Sequence, residues 1–245
     1  MAIYDVAICG GRVVDGAGNP WFYSDIGVRH GKITRIGSIS ASDADNVIDA
    51  GGMVVCPGFI DLHTHSDVTV LADGDAQSKV RQGVTLDVIG ESNSVGPVVG
   101  PAADEYREEQ RLRSGVDVTW TDFTGYFQQL IRQGTSINIA SSVAPQQIRR
   151  AVVGFDDRAA GPDELQQMNS LVVQAMEQGA VGLSAAWHSG GPEYVDELIE
   201  MAVVANQHGG YYGTHVGSEG FDIGTELDKT FQIARASGIP VHIYH

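Results

Sequence analysis

The spacing of apolar residues changes character near residue 56. Before that point apolar residues alternate with polar or small ones, as over 4–8, and no segment has the period of a helix. We therefore predict that residues 1–56 form a small antiparallel β module. Its hairpin turns are expected at Gly10-Gly11 and at His30-Gly31, where glycine permits tight turns, and a further strand is expected over 46–49.

From Met53 onward, short apolar runs alternate with longer segments at helical spacing, which is typical of repeated βα units and a parallel sheet. The predicted strands are Val54–Leu62, Val84–Ile89, Ile137–Val143, Val181–Ala186, Tyr211–His215 and Val241–His245. The predicted helices are Ala72–Gln82, Asp122–Arg132, Pro162–Gln178, Pro192–Gln207 and Gly224–Ala236, with a charged excursion over 98–121. Six such units fit either an open doubly wound sheet or an incomplete eight-stranded barrel.

The chain ends inside an apolar run, Val241–His245, that indicates a buried parallel strand. A parallel strand at that position would leave an unpaired edge exposed. We therefore expect the native protein to continue beyond His245, so that this sequence stops after its sixth barrel strand.

Composition and charge narrow the class of protein. The 245 residues are 42% apolar and 19% charged, which is ordinary for a folded globular protein of one or two domains. Lys and Arg number 15 against 31 Asp and Glu, and a net charge of −16 disfavours binding to nucleic acid or to anionic membrane surfaces. With two cysteines, no basic-apolar leader and no apolar run long enough to span a membrane, we expect a cytoplasmic protein.

The clearest candidate for chemistry is the pair His63 and His65, which follows the apolar run 54–60. Residues two apart on a strand point to the same side, so both imidazoles can reach one ion at the carboxyl end of the strand. Barrel enzymes keep their active sites at that end. Two histidines at this spacing also occur by chance with only backbone partners, so the pair alone leaves both interpretations open.

Two further histidines end later predicted strands, His215 and His245. Four histidines at one end of three parallel strands converge if the sheet is a barrel, and imidazole suits zinc and similar divalent metals. Glu91, after the second strand, is the candidate anionic ligand, with a solvated loop carboxylate or helix cap as the alternative. His188, after the fourth strand, could contact a substrate or could be an ordinary loop histidine at the rim.

The segment 57–65, Pro-Gly-Phe-Ile-Asp-Leu-His-Thr-His, resembles the first-strand signature of the amidohydrolase superfamily. Within it, the segments 83–85, 179–184, 209–215 and 243–245 are most similar to the N-acyl-D-amino-acid deacylases, also called D-aminoacylases. The resemblance runs through the whole chain in family order. It implies an α/β fold with a (β/α)8 TIM-type barrel, incomplete in this chain, over 57–245 and a small N-terminal β-sandwich over 1–56.

The resemblance also implies roles for the candidate ligands. His63 and His65 correspond to the pair that binds the more weakly held metal, and His215 and His245 to the pair that binds the tighter one. The family's bridging cysteine falls by count at Ser92, where Glu91 or Ser92 would replace it. The expected cofactor is therefore zinc, one or two ions. The catalytic aspartate of the family is expected beyond His245, so no catalytic residue is assigned in this chain.

The implied activity is hydrolysis of the amide bond of N-acyl-D-amino acids through a metal-activated water, with a small-molecule substrate. One alternative is a cyclic-amide hydrolase of the hydantoinase or dihydroorotase type, which needs a carboxylated lysine. Only Lys32, Lys79 and Lys229 are available, and none ends a predicted strand. Another alternative is a catalytically silent domain that binds a small molecule. The oligomeric state is left open by the sequence.

Overall fold

The computed structural model describes residues 2–186 and 193–245. The chain divides into two compact units, Met1–Gly58 and Phe59–His245. The domain boundary predicted between residues 56 and 57 lies two residues before this division.

The first unit is a five-stranded mixed sheet. Its strands are β1 (Tyr4–Val13), β2 (Phe22–Arg29), β3 (Lys32–Gly37), β4 (Ala44–Asp49) and β5 (Val54–Val55). The order is β3-β2-β1-β4, and β5 pairs with the carboxyl-terminal end of β1. The β1-β2 and β2-β3 pairs are antiparallel, whereas β4 and β5 both run parallel to β1. The prediction of a wholly antiparallel module is therefore wrong for these last two strands. In the described part of this unit the strands form one sheet, and the β-sandwich stays a prediction.

One of the two predicted hairpin turns is confirmed. His30 and Gly31, both with positive φ, connect β2 to β3. Gly10 and Gly11 instead lie inside β1, where the pairing register with β2 shifts between Ile8 and Gly11. A glycine pair at this point makes a β-bulge rather than a turn. A Cβ on Gly11 would overlap the side chain of Val55 in β5, so the close approach of that strand needs glycine here.

In its described residues, the second unit contains six parallel strands in chain order. They are β6 (Phe59–Asp61), β7 (Val84–Ile89), β8 (Asn138–Ser141), β9 (Gly182–Ala185), β10 (Tyr211–Thr214) and β11 (Val241–Ile243). Ladders join β6-β7-β8 and β9-β10-β11. Val143, just beyond β8, pairs in parallel with Leu183 of β9 and connects the two groups. No ladder joins β6 to β11 in the described part of the chain. The arrangement is that of a TIM-type barrel without closure.

The long strand predicted over 54–62 is divided between the two units. Val54 and Val55 pair with β1, whereas Phe59 to Asp61 pair with β7. Pro57 stands between them, and proline cannot donate a hydrogen bond to a sheet ladder. A continuous apolar run in the sequence therefore gives two strands in different sheets.

Eight helices are present in the described residues. They are α1 (Thr69–Ala72), α2 (Gln77–Val80), α3 (Ala103–Ser114), α4 (Phe123–Gln133), α5 (Pro145–Val152), α6 (Pro162–Glu177), α7 (Glu193–Gln207) and α8 (Ile223–Ser237). The helix predicted over 72–82 is two short helices instead, and α5 was not predicted. The charged excursion contains α3. No helix in 2–186 or 193–245 is both long and apolar enough to cross a membrane.

The core of the second unit lies between the sheet and its helices. Its fully buried large side chains include Tyr126 and Phe123 of α4, Met168 of α6, Leu183 of β9 and Ile233 of α8. Removing such a side chain from water contributes about 1.5–3 kcal/mol. The core thus holds the helices against one face of the sheet. The polar candidate ligands lie in the loops that follow the strands.

Candidate metal centre

The five predicted ligands all follow the carboxyl ends of parallel strands. His63 and His65 come after β6, Glu91 after β7, His215 directly after β10 and His245 after β11. Because the strands are parallel, these positions all lie at the carboxyl end of the sheet. The ring centroids of His63 and His245 are 5.3 Å apart, although their strands are the first and the last in the unit. The sheet therefore curves enough to bring both edges to one site.

Glu91 lies at the centre of the histidines. Its side chain is 4% exposed. Oε2 is 3.2 Å from Nε2 of His65 and 3.4 Å from Nε2 of His63, while Oε1 is 3.3 Å from Nε2 of His215. One carboxylate therefore contacts imidazoles that follow β6, the first strand of the unit, and β10, in the other three-stranded group.

The remaining distances define two overlapping groups of possible ligands. Nitrogen atoms of His63, His215 and His245 lie within 4.8 Å of one another, and so do ligand atoms of His63, His65 and Glu91. His63 belongs to both groups, and its Nε2 is 3.2 Å from Nε2 of His215. The structure thus brings all five predicted ligands together.

The donor set fits a divalent metal. When two Nε2 atoms face each other at 3.2 Å, as in His63 and His215, one of them at most carries a proton toward the other. The nitrogen atoms without a proton then offer lone pairs close to the buried carboxylate of Glu91. Nitrogen and oxygen donors of this kind are the ligands that zinc uses in hydrolytic sites.

The turn after β7 aims Glu91 inward. Gly90 and Ser92, on either side of it, have φ of 98° and 64°. A Cβ on Gly90 would overlap the carbonyl oxygen of Ser142, so glycine is required there. Ser92 Oγ donates a 3.0 Å hydrogen bond to Glu91 Oε1. Ser92 occupies the position at which the resemblance places the family's cysteine. It therefore holds the carboxylate of the adjacent Glu91 by a hydrogen bond.

The two histidines of the first motif are not placed by strand alternation. β6 ends at Asp61, so His63 and His65 lie in an irregular segment, with their rings 5.3 Å apart at 70°. The backbone N–H of His63 donates a 3.2 Å hydrogen bond to Asp61 Oδ1. Burial alone would raise the pKa of Asp61, but hydrogen bonds from Lys79 and from this N–H lower it. The sequence predicted that His63 and His65 lie close together, but the reason given for it, alternation along a strand, was wrong.

Tyr244 is a site residue that the sequence analysis missed. Its ring is stacked on that of His63, and its hydroxyl is 2.8 Å from Ser184 Oγ of β9. Burial raises the pKa of Tyr244, so the hydroxyl stays protonated. The available signal was an aromatic residue directly before the terminal histidine.

Two carboxylates near the site were also missed. Asp67, two residues after His65, has one buried oxygen without a hydrogen-bond partner among the described residues. Burial raises its pKa to about 7, an effect that the Asp67 and Gly90 N–H groups oppose. Glu219, in the loop after β10, lies 3.1 Å from Nδ1 of His245. The predicted substrate residue His188 lies outside the described residues.

Comparison with protein-family models identifies the family of the chain. The model described as "Amidohydrolase family" matches residues 46–245, which is most of the chain. The chain belongs to the amidohydrolase family. The match includes every proposed ligand of the site.

Several relatives of this amidohydrolase chain are deacylases. The D-aminoacylase of Alcaligenes xylosoxydans xylosoxydans is 35% identical over 99% of this chain and 50% of its own length. One solved structure is that of a D-aminoacylase described as having a binuclear metal centre, with one-metal activation and second-metal attenuation. Its TM-score is 0.84 and its identity 35%, and the match covers 99% of this chain and 51% of that one. N-acyl-D-glutamate deacylase from Bordetella bronchiseptica, complexed with zinc and a phosphonate mimic of the tetrahedral intermediate, has a TM-score of 0.86, 30% identity, and coverage of 97% and 50%.

The chain spans about half the length of the curated relatives that it matches. The part of this chain that matches them includes the strands of the second unit, which precede all five clustered residues. The α/β fold of the amidohydrolase barrel type is therefore shared with these structures over nearly the whole chain.

Proposed function

We propose that this chain carries the metal centre of a zinc-dependent amidohydrolase that cleaves the amide bond of N-acyl-D-amino acids. The observation that supports this most directly is the buried carboxylate of Glu91, with imidazole nitrogens of three histidines at 3.2–3.4 Å. The deacylase relatives supply the substrate class.

The contacts of the two Glu91 oxygens suggest two positions for a cation. His63, His65 and Glu91 would hold one ion, and Glu91, His215 and His245 would hold the other. The two oxygens of Glu91 face different histidines, which suits a bridging role. When bound, zinc lowers the pKa of a water molecule toward neutrality and polarises an acyl carbonyl.

The residues of this chain contribute charge and position. The Glu91 carboxylate supplies a negative charge in a buried place, where an unpaired cation would be costly. Neutral imidazoles bind a divalent cation only when their lone pairs are free, so metal binding is expected to weaken as the histidines gain protons. Tyr244 restrains the plane of the His63 ring. Together these groups form a preorganised site at the carboxyl end of the sheet.

The structure gives less support to the cyclic-amide alternative. That chemistry needs a lysine modified by carboxylation, which must lose its positive charge. The Lys79 ammonium is instead paired with Asp61 at 2.5 Å. Lys32 belongs to β3 of the first unit, and Lys229 lies in α8 with its ammonium 2.6 Å from Glu226. We therefore favour linear amides over cyclic amides as the substrate class.

We also propose that the reaction takes place in the cytoplasm. Cys9 and Cys56 are both free thiols in the described structure, as expected where thiols are kept reduced.

Hydrolysis assays test the activity on the zinc-loaded protein at the length of its deacylase relatives, because the resemblance places the catalytic aspartate outside residues 1–245. We expect amine release from N-acetyl-D-glutamate or N-acetyl-D-leucine, with little from the matched L-enantiomers and little ring opening of dihydrouracil. His215→Ala is the matched control and should lose the activity. If the protein at that length binds zinc but hydrolyses none of these compounds, the result would support the silent binding domain instead. Ring opening would support the cyclic-amide hydrolase.

A pair of variants tests the assignment of the bridging ligand. Glu91→Gln keeps the shape of the side chain and removes its charge, so bound zinc should fall strongly. Ser92→Ala removes one hydrogen bond to Glu91 and should keep most of the metal. Equal loss in both variants would mean that Ser92 itself is a ligand.

A further inference from the structure

Lys79 occupies an unusual place beside the first histidine motif. It belongs to the short helix α2, and its side chain is only 21% exposed. Its ammonium lies 2.5 Å from Asp61 Oδ2 and 3.4 Å from Asp87 Oδ1, and it donates a 2.9 Å hydrogen bond to Thr64 Oγ1. A largely buried lysine with three such partners is held in one geometry rather than left in solvent.

The partners of Lys79 lead directly to the two histidines. Asp61 also accepts the N–H of His63, and Thr64 is the residue between His63 and His65. The ammonium therefore holds the segment at two points, one on each side of the His63 backbone. This matters because the segment has no strand or helix hydrogen bonds of its own to define it.

Asp87 completes a closed ring of contacts. Its side chain is fully buried, and its Oδ2 accepts a 2.8 Å hydrogen bond from Ser66. Ser66 Oγ in turn lies 3.3 Å from Thr64 Oγ1. Asp61, Thr64, Ser66 and Asp87 are thus tied together around one ammonium. Without that charge, two carboxylates would face each other beside the motif.

We propose that Lys79 is a positioning residue that holds the 63–65 segment in the conformation in which both imidazoles face Glu91. This inference rests on the proposed metal centre and adds a residue that acts on the histidines through Asp61 and Thr64. Its consequence is specific: Lys79 sets the affinity of the ion held by His63, His65 and Glu91 more than that of the ion held by His215 and His245. Partners of this kind typically change metal affinity by about 10- to 100-fold.

Cobalt titration of the full chain, freed of metal and followed by its visible spectrum, tests the proposal. Lys79→Met keeps the aliphatic stem and removes the charge, and Lys79→Arg keeps the charge. Lys32→Met, on the exposed surface of β3, is the matched lysine control. The thermal midpoint of each metal-free variant is measured in parallel, so that a loss of folding is separated from a loss of binding.

We expect Lys79→Met to weaken the more weakly bound cobalt by about 10- to 100-fold while the tighter one changes by less than about threefold. Lys79→Arg should recover much of the loss, and Lys32→Met should match the wild type. If the wild type binds a single cobalt, Lys79→Met must weaken that ion, because His63 belongs to both ligand groups.

Two results would overturn the proposal. Wild-type affinity in Lys79→Met would show that the ammonium does not act on the histidines. An equal loss at both sites, in step with a lower midpoint of the metal-free protein, would show general support of the fold. A wild-type chain that binds no cobalt would instead contradict the proposed function, and this inference with it.

Discussion

The ring of Tyr244 lies parallel to the ring of His63, with centroids 4.3 Å apart and an angle of 8° between the planes. The two residues follow the last and the first described strands of the second unit, β11 and β6. The Tyr244 hydroxyl is anchored at Ser184 in β9. A side chain from one edge of the sheet therefore restrains a proposed metal ligand from the other edge.

Replacing Tyr244 separates the stacking from the hydrogen bond. Tyr244→Phe keeps a ring on His63 and leaves the buried Ser184 hydroxyl without this partner, at a cost of about 1–3 kcal/mol in the free energy of unfolding. Zinc affinity should stay near the wild-type value. Tyr244→Leu removes the stacked ring, and we expect zinc to bind about tenfold more weakly as well. Urea unfolding and zinc titration measure the two effects, and equal zinc affinities in both variants would show that stacking has no role.

Gly213 in β10 makes room for Tyr244. A Cβ at this position would overlap the phenolic oxygen of Tyr244. Gly213→Ala should therefore destabilise the chain by about 1–3 kcal/mol, as overpacking of a buried site does. Gly224→Ala is the matched control, because a Cβ there meets nothing within 4 Å and alanine favours the helix. Urea unfolding of both variants checks this, and equal stability would mean that the tyrosine moves freely.

Glu164 gives a pH dependence of stability in the second unit. Hydrogen bonds from Arg158 and from the Gly161 N–H lower its pKa from 4.5 to about 2. A carboxylate whose pKa is lower in the folded chain stabilises it above its ordinary pKa, and this stabilisation disappears as the pH falls toward the folded value. The melting temperature of Glu164→Gln should thus lie below that of the wild type at pH 6 and approach it near pH 2. Asp163→Asn, in the same first turn of α6, is the control, and a difference that does not depend on pH would contradict the assignment.

Zinc should stabilise the folded chain. At a concentration of 100 times the dissociation constant, a ligand that binds only the native state adds about 2.7 kcal/mol. For a chain of this size that corresponds to a rise of about 5–10 °C in the melting temperature. Calorimetry with zinc and with a chelator measures the shift. Glu91→Gln should lose most of it, and a similar shift in that variant would place the ion elsewhere.

The strands and the ligand cluster could be predicted because each depends on a short, local pattern. The apolar runs before Glu91, His215 and His245 locate strand ends to within a few residues, and parallel strands carry those ends to one edge. The division of 54–62 could not be predicted in this way, since an apolar run does not show which sheet each half joins. That depends on partners far along the chain, β1 for Val55 and β7 for Phe59.

The supporting residues were less accessible to sequence reasoning. Lys79, Tyr244 and Ser184 reach the site through side chains whose direction depends on packing, and none has a characteristic spacing from the histidines. The predicted alternation of His63 and His65 on a strand also failed, because β6 ends at Asp61 and a ring of ionic contacts defines the segment that follows. Ligand types follow from the sequence, whereas the groups that orient them follow from the fold.

The amount of metal bound per chain tests the proposed metal centre most directly. Elemental analysis of purified protein that has not met a chelator should count zinc, iron, nickel and manganese together, for the wild type and for His215→Ala. The convergence of His63, His65, Glu91, His215 and His245 leads us to expect about one or two metal ions per wild-type chain and a clear loss in the variant. A folded wild-type chain without metal, or full occupancy in His215→Ala, would contradict the account.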